Sequence, residues 1–206
     1  MIPRNARRVV EVGCMHGAMA RAYRAINPGV HYIGVDIDPD YAAVAAQACS
    51  QALAGDIEDF DDAMLQKLFP SDCWVFGDCL EHLRDPWRIV KLVRDGIDAD
   101  GCLVACIPNA QHWTVQMRLA SGQFRYEDSG LLDRTHVRWF TRITIFEMFL
   151  EANWAIDAAF IRQTSPPPPP ALMAGIRAVA EAAGTDPALA EADANVFQYM
   201  LRVKPA

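Results

Sequence analysis

Short apolar runs alternate with helix-forming stretches from residue 7 to about residue 162. Residues 7–12 (RRVVEV), 31–35 (HYIGV), 52–55, 73–77 (CWVFG) and 102–107 (CLVACI) read as strands. They are short, apolar and bounded by turn residues. Residues 18–26, 39–49, 61–68 and 86–97 read as the intervening helices, with Pro39 at a favourable first-turn position. The run at 102–107 is apolar throughout, the pattern of a strand covered on both faces. Five strand–helix repeats imply right-handed parallel crossovers and helices on both sides of the sheet. Ligands of such sheets bind at the carboxyl ends of the strands. Beyond these repeats, 144–152 reads as a helix, 154–161 as a strand, 171–183 as a helix and 195–203 as a final strand. The expected architecture is an α/β sheet of seven strands, parallel except for a hairpin of 154–162 and 195–203.

Two segments break the rhythm. Residues 109–141 are rich in Trp, Arg, His, Asp and Gly, the mark of a functional loop. Residues 166–170 are five prolines, a stiff extended connector. A spacer explains them better than a docking site for a proline-binding partner, because flanking basic residues are sparse. The chain of 206 residues is expected to be one domain. Its core is 7–162, with a connector and helical insertion at 163–194 and the last strand at 195–205.

Composition narrows the partners. The net charge of −7 argues against a phosphate-tracking surface and therefore against a nucleic-acid substrate. No apolar run is long enough to span a bilayer, and the basic N-terminal stretch lacks the cleavage pattern of a signal peptide. The six cysteines form no Cys-x-x-Cys and no zinc-type cluster, so no metal site is expected. Buried free thiols in a cytoplasmic chain fit best.

Chemistry gathers at the strand ends. Glu11-Val12-Gly13-Cys14-Met15-His16-Gly17 follows the first strand, where glycines let backbone amides approach a ligand. Asp36 closes the second strand, and its carboxylate could accept both ribose hydroxyls of a nucleoside or cap the following helix. Gly55-Asp56-Ile57 closes the third; Asp56 reads equally as an adenine acceptor or a helix cap. Asp78-Cys79-Leu80-Glu81-His82-Leu83-Arg84-Asp85-Pro86 follows the fourth.

Segments 9–17, 32–38, 55–58, 73–88 and 101–109 together resemble class I S-adenosylmethionine-dependent methyltransferases. Within that family the chain resembles the bacterial small-molecule subgroup with a D-x-LEH-L-x-D-P segment. Residues 131–141 (LDRTHVRWFT preceded by Leu) are similar to a signature of bacterial methyltransferases, some associated with glycan assembly. The resemblance implies a Rossmann-like sheet, S-adenosylmethionine as cofactor and S-adenosylhomocysteine as product. It also implies roles. Glu11, Gly13, Cys14 and Gly17 shape the loop under the methionine half. Asp36 holds the ribose with Ile37 beside it, Asp56 and Ile57 frame the adenine, and Asp78 and Leu80 line the methionine side. The family pattern usually has glycine where Met15 stands, so that side chain must either point away from the cofactor or partly obstruct it, and obstruction would mean weakened cofactor binding or a non-catalytic relative. Many relatives also carry a helix before the first strand; its absence here would leave the cleft open, which makes a homodimer or a covering partner chain a reasonable expectation.

Methyl transfer needs little acid–base chemistry, but a hydroxyl acceptor benefits from a base. His136 and His82 are the catalytic candidates, each with a structural hydrogen-bonding role as the alternative. His112, Trp113, Arg134 and Arg138 are candidates for the substrate pocket; the arginines either bind an anionic group or pin the loop through ion pairs. The expected function is methyl transfer to a small molecule, at oxygen. The alternative is a non-catalytic cofactor-binding or scaffold module on the same fold. An NAD-dependent oxidoreductase is disfavoured, since Gly13-x-x-x-Gly17 lacks the glycine spacing a pyrophosphate needs.

Overall fold

The computed structural model describes residues 1–163 and 167–206. Its strands are β1 (Arg8–Val12), β2 (His31–Asp36), β3 (Gln51–Ala54), β4 (Cys73–Gly77), β5 (Cys102–Pro108), β6 (Trp154–Arg162) and β7 (Gln198–Pro205). Its helices are α1 (Ala18–Ile26), α2 (Pro39–Ala45), α3 (Asp62–Gln66), α4 (Pro86–Gly96), α5 (Trp113–Ala120), α6 (Arg142–Glu151), α7 (Pro170–Ala182) and α8 (Pro187–Ala194). Three-residue 3-10 turns stand at Ile57–Asp59 and Leu80–His82. The seven strands lie in the order β3-β2-β1-β4-β5-β7-β6. This is the mostly parallel, Rossmann-like sheet expected. The antiparallel element is β7 alone, which slots between β5 and β6 and opposes both.

Alternation along each strand builds two apolar layers. Val10, Val12, Trp74, Phe76 and Leu103 face α4 and α6, where Ile89, Val93, Ile145 and Phe149 cover them. Val9, Tyr32, Cys73 and Val104 face the other way, under Ala20 and Tyr23 of α1 and Ala45 and Ala48. Trp154 opens β6 fully buried, and its indole N–H donates to the Val90 carbonyl of α4 at 3.2 Å. One tryptophan thus ties the far edge of the sheet to the central helix.

Several boundaries differ from expectation. The helix expected over 39–49 ends at Ala45, because the chain must turn to bring Gln51 beside Ile33. Ser50 drives that turn: its N–H donates to the Tyr32 carbonyl, and its hydroxyl accepts the Tyr32 N–H. The 109–141 segment is not loop throughout, since it contains α5. His112 caps that helix through its ring nitrogen, and histidine is not a recognised start signal. Of the proline run, Pro166 lies outside the described residues. Pro169 is extended (φ −61°, ψ 130°) as expected, but Pro170 already begins α7. All six cysteines are free, and five are buried. Among the described residues no helix is long and apolar enough to cross a membrane.

Trp154→Ala should cost about 3–5 kcal/mol, the range for emptying a large buried aromatic site. Urea unfolding of the two proteins measures it; a change under about 1 kcal/mol would show that β6 does not lean on α4 as described.

Candidate active site

The loop after β1 is built on backbone that favours glycine: Gly13 has φ 75° and Gly17 φ 70°. A side chain at Gly17 would also press on Ala48 Cβ at 3.1 Å and Ala45 Cα at 3.2 Å. Met15 sits between them at φ 45°, an uncommon conformation for a side-chain-bearing residue. It is held there by Asp36, whose Oδ2 accepts the Met15 N–H at 2.7 Å while Oδ1 accepts the Asp38 N–H at 3.0 Å. A carboxylate has about four acceptor positions, so each Asp36 oxygen keeps one for a ligand. The Met15 side chain is exposed, as is Ile37. A carboxylate between two exposed apolar side chains, over a positive-φ loop, suits a sugar hydroxyl pair beside an apolar ring; the residues fit an adenosine group. Glu11 and Cys14 lie beneath the loop. Glu11 accepts the Tyr32 hydroxyl at 3.0 Å, and burial pushes its carboxyl up to about 7. Burial raises the Cys14 thiol to about 12, so it is packing rather than a nucleophile.

Asp56 caps the 3-10 turn after β3 by accepting the Glu58 N–H at 2.9 Å. Its other oxygen meets Arg84 at 3.1 Å, and Arg84 also pairs with Glu58 and Asp59. The cap reading is therefore realised; any ligand contact of Asp56 must share the carboxylate with Arg84. Ile57 and Leu80 are buried in the core, so their side chains support the site from below.

Next to this edge lies a cleft of about 360 Å³, lined among others by Asp78, Glu81, His82, Asp133, His136 and Arg162. Asp78 turns into it at φ 53° and accepts the Gln198 side-chain N–H; Gln198 in turn accepts from Arg162 at 2.9 Å. Glu81 is 1% exposed, and its Oε2 finds no hydrogen-bond partner among the described residues. Burial raises its carboxyl to about 8. Its backbone carbonyl accepts both Val137 and Arg138 N–H at 3.0 Å, which latches the 121–141 segment onto the turn after β4. That latch brings His136 Nε2 to 4.0 Å from Glu81 Oε1 and sets its ring 4.8 Å from that of His82. Burial, then the neighbouring His82, lowers the His136 pKa.

The His82 tautomer follows from its partners. Its Nδ1 is 3.1 Å from both the carbonyl and the hydroxyl oxygen of Thr135. The Thr135 hydroxyl spends its proton on Asp133 Oδ1 at 2.6 Å, so it can only accept from the ring. Nδ1 therefore carries the proton, and Nε2 presents a bare lone pair.

The structure brings Asp78, His82 and His136 together in the cleft and leaves other candidates outside it. Arg138 is spent on the Arg84 carbonyl and the Trp87 ring, and Arg134 on Asp128 at 2.6 Å. His112 is buried; its Nδ1 lies 2.8 Å from the Thr114 hydroxyl, and its ring meets Phe197 edge to face. Trp113 packs on Met173 and Ile176 of α7. Arg162 and Gln198 line the cleft although nothing in the sequence marked them; they are register partners on β6 and β7, a pairing visible only in the fold. Glu81 stood inside the quoted motif, but its burial is what singles it out.

Comparison with known proteins agrees with this fold. A family model described as a methyltransferase domain matches residues 2–159. The chain belongs to that family of methyltransferase domains. No curated protein matches it. Among solved structures it is similar to an S-adenosylmethionine-dependent methyltransferase from Thermotoga maritima, at 14% identity and TM-score 0.64, covering 100% of this chain and 84% of that one. It is also similar to magnesium protoporphyrin IX methyltransferase from Synechocystis with bound S-adenosylhomocysteine, at 11% identity and TM-score 0.61, covering 96% and 74%. A third, an O-methyltransferase from neocarzinostatin biosynthesis, gives 12% and 0.58; the chain covers 98% of itself and spans half the length of that protein. At these identities the likeness establishes the fold.

Burial pushes His112 down to about 4. An unfolded histidine titrates near 6.5, so between these values the unfolded chain takes up a proton that the native ring refuses. Stability is full above about pH 6.5 and falls as the pH drops toward 4, by roughly 2 kcal/mol at pH 5. Urea midpoints at pH 7 and pH 5 should converge in His112→Phe relative to the parent chain; equal pH slopes would refute the assignment.

Proposed function

We propose that the chain transfers a methyl group from S-adenosylmethionine to a small-molecule acceptor, at oxygen. The observation that carries this reading is the junction of two features at one sheet edge. The Gly13–Gly17 loop with Asp36 stands beside a cleft that holds a bare imidazole lone pair, His82 Nε2. S-adenosylmethionine, when bound, supplies an already activated methyl on a sulfonium. Asp36 would hold the ribose with its two free acceptor positions, and Ile37 would cover the ring. Asp78 would border the methionine side. The remaining task is to orient an acceptor and relieve it of a proton. A cleft of about 360 Å³ suits a small molecule. A hydroxyl placed against His82 Nε2 or His136 Nε2 would give up its proton there, with Thr135 and Asp133 fixing the His82 ring. Met15 gives its N–H to Asp36, and its side chain is exposed beside the loop. The free, buried thiols fit a cytoplasmic chain of one domain. The exposed Met15 and Ile37 beside the loop leave room for a homodimer or partner to cover the cofactor.

Isothermal titration with S-adenosylhomocysteine should show micromolar binding. Asp36→Ala should weaken it roughly tenfold or more, about 1.4 kcal/mol, as befits loss of charge-assisted hydrogen bonds. A chain that melts cooperatively yet takes up no S-adenosylhomocysteine would defeat the reading.

A further inference from the structure

We propose that Glu81, His82 and His136 form a binding site for a divalent transition-metal cation on the wall of the cleft. The sequence raised no such expectation, because the ligands come from two segments more than fifty residues apart and have no metal-type spacing. Folding assembles them. Their ligand atoms all lie within 4.8 Å of one another, and Glu81 Oε1 and His136 Nε2 are 4.0 Å apart. Bonds of about 2.0–2.2 Å to a shared cation place neighbouring ligands roughly 3–4 Å apart. The cage is therefore wider than a filled one by a small margin.

Three independent observations point to a ligand. First, Glu81 is almost fully buried with one carboxylate oxygen lacking any partner among the described residues. A buried carboxyl oxygen left so is costly unless a partner completes it. Second, no arginine or lysine takes that place. Arg162 lines the same cleft, but its guanidinium is committed to Gln198 Oε1 and to the face of Phe197. Third, His82 is prepared as a ligand. Its Nδ1–H is held by the Thr135 carbonyl and hydroxyl, the outer support that a metal-bound imidazole usually has, which leaves Nε2 as the free ring nitrogen. Asp78, on the same cleft wall, is at hand as a further oxygen donor. Two imidazoles with one carboxylate favour cations of the manganese-to-zinc series over magnesium or calcium.

Three protein ligands leave coordination positions open to the cleft. This extension rests on the methyl-transfer reading: an acceptor hydroxyl bound at such a position would be acidified by the cation and release its proton to solvent, and the imidazoles would then serve as ligands rather than as the base. The acceptor class is accordingly one that can ligate a cation through oxygen, such as a molecule with adjacent hydroxyls.

The test is chelator-stripped protein titrated with Mn²⁺, followed by the paramagnetic resonance of free Mn²⁺ and repeated with Zn²⁺ by calorimetry. One site per chain is expected. Glu81→Gln and His82→Ala should each weaken it tenfold or more, and His82, being exposed, can be removed without disturbing the core. No uptake of either cation, or uptake that both variants leave unchanged, overturns the proposal. S-adenosylhomocysteine titration of the same samples separates the two readings. Cofactor binding without cation uptake removes the cation site alone. Cation uptake without cofactor binding removes the methyl-transfer reading and upholds the site.

Discussion

A single backbone carbonyl, that of Glu81, carries the N–H groups of both Val137 and Arg138. That doubled acceptor sets the 121–141 segment against the turn after β4 and so brings His136 to face His82. Arg138 reinforces the latch from outside by reaching back to the Arg84 carbonyl while its guanidinium covers Trp87. The cost of the arrangement is that the Glu81 side chain is dragged under the loop. A carboxyl group is thereby buried on the wall of the cleft with one oxygen unpartnered among the described residues.

Around this latch the sheet edge is stitched by polar contacts that run across the strand order. Asp78 of the β4 turn meets Gln198 of β7, which meets Arg162 of β6. A second cluster joins Arg142 of α6 to Asp193 of α8 at 2.9 Å and Asp193 to the Tyr199 hydroxyl of β7 at 2.8 Å. Asn109, fully buried at the end of β5, donates to the carbonyls of Asp193 and Val196. The helical insertion is therefore fastened to the sheet immediately behind the cleft, while Met173, Ile176 and Ala194 give it a small apolar core of its own with Trp113. Buried polar groups that satisfy one another in this way hold one geometry rather than adding much stability.

The strands and most helices of the repeat were legible because burial on both faces of the sheet leaves a direct mark: compact apolar runs ending at Gly13, Asp36, Gly55 and Asp78. The turns at the strand ends were legible for the same reason, since the sheet fixes where each strand must end. What escaped notice was decided at longer range. The stop of α2 depends on Ser50 meeting Tyr32 across a turn. The start of α5 depends on a histidine cap, and the place of β7 between β5 and β6 depends on pairing that no local pattern encodes. Arg134 and Arg138 looked like ligand-binding groups because arginine chemistry is the same whether it meets a substrate or the protein's own acceptors. Arg162 and Gln198 were silent because they are ordinary residues on alternating strands, and only their register turns them toward the cleft.

The position of β7 has a consequence in time as well as in space. A strand that opposes both neighbours and separates β5 from β6 must enter a slot that the preceding chain has to leave open. Until residues 198–205 are synthesised, Asp78 has no Gln198, Tyr199 cannot reach Asp193, and the β5 edge is bare. The parallel half of the sheet, β1 to β5, can assemble while the chain is still emerging, but the cleft cannot, because its far wall is delivered by long-range pairings that form last. The carboxyl end of the sheet is thus divided by age: the loops after β1 and β2 can form early, and the cleft wall that holds Arg162 and Gln198 comes into existence only when β7 has been threaded home.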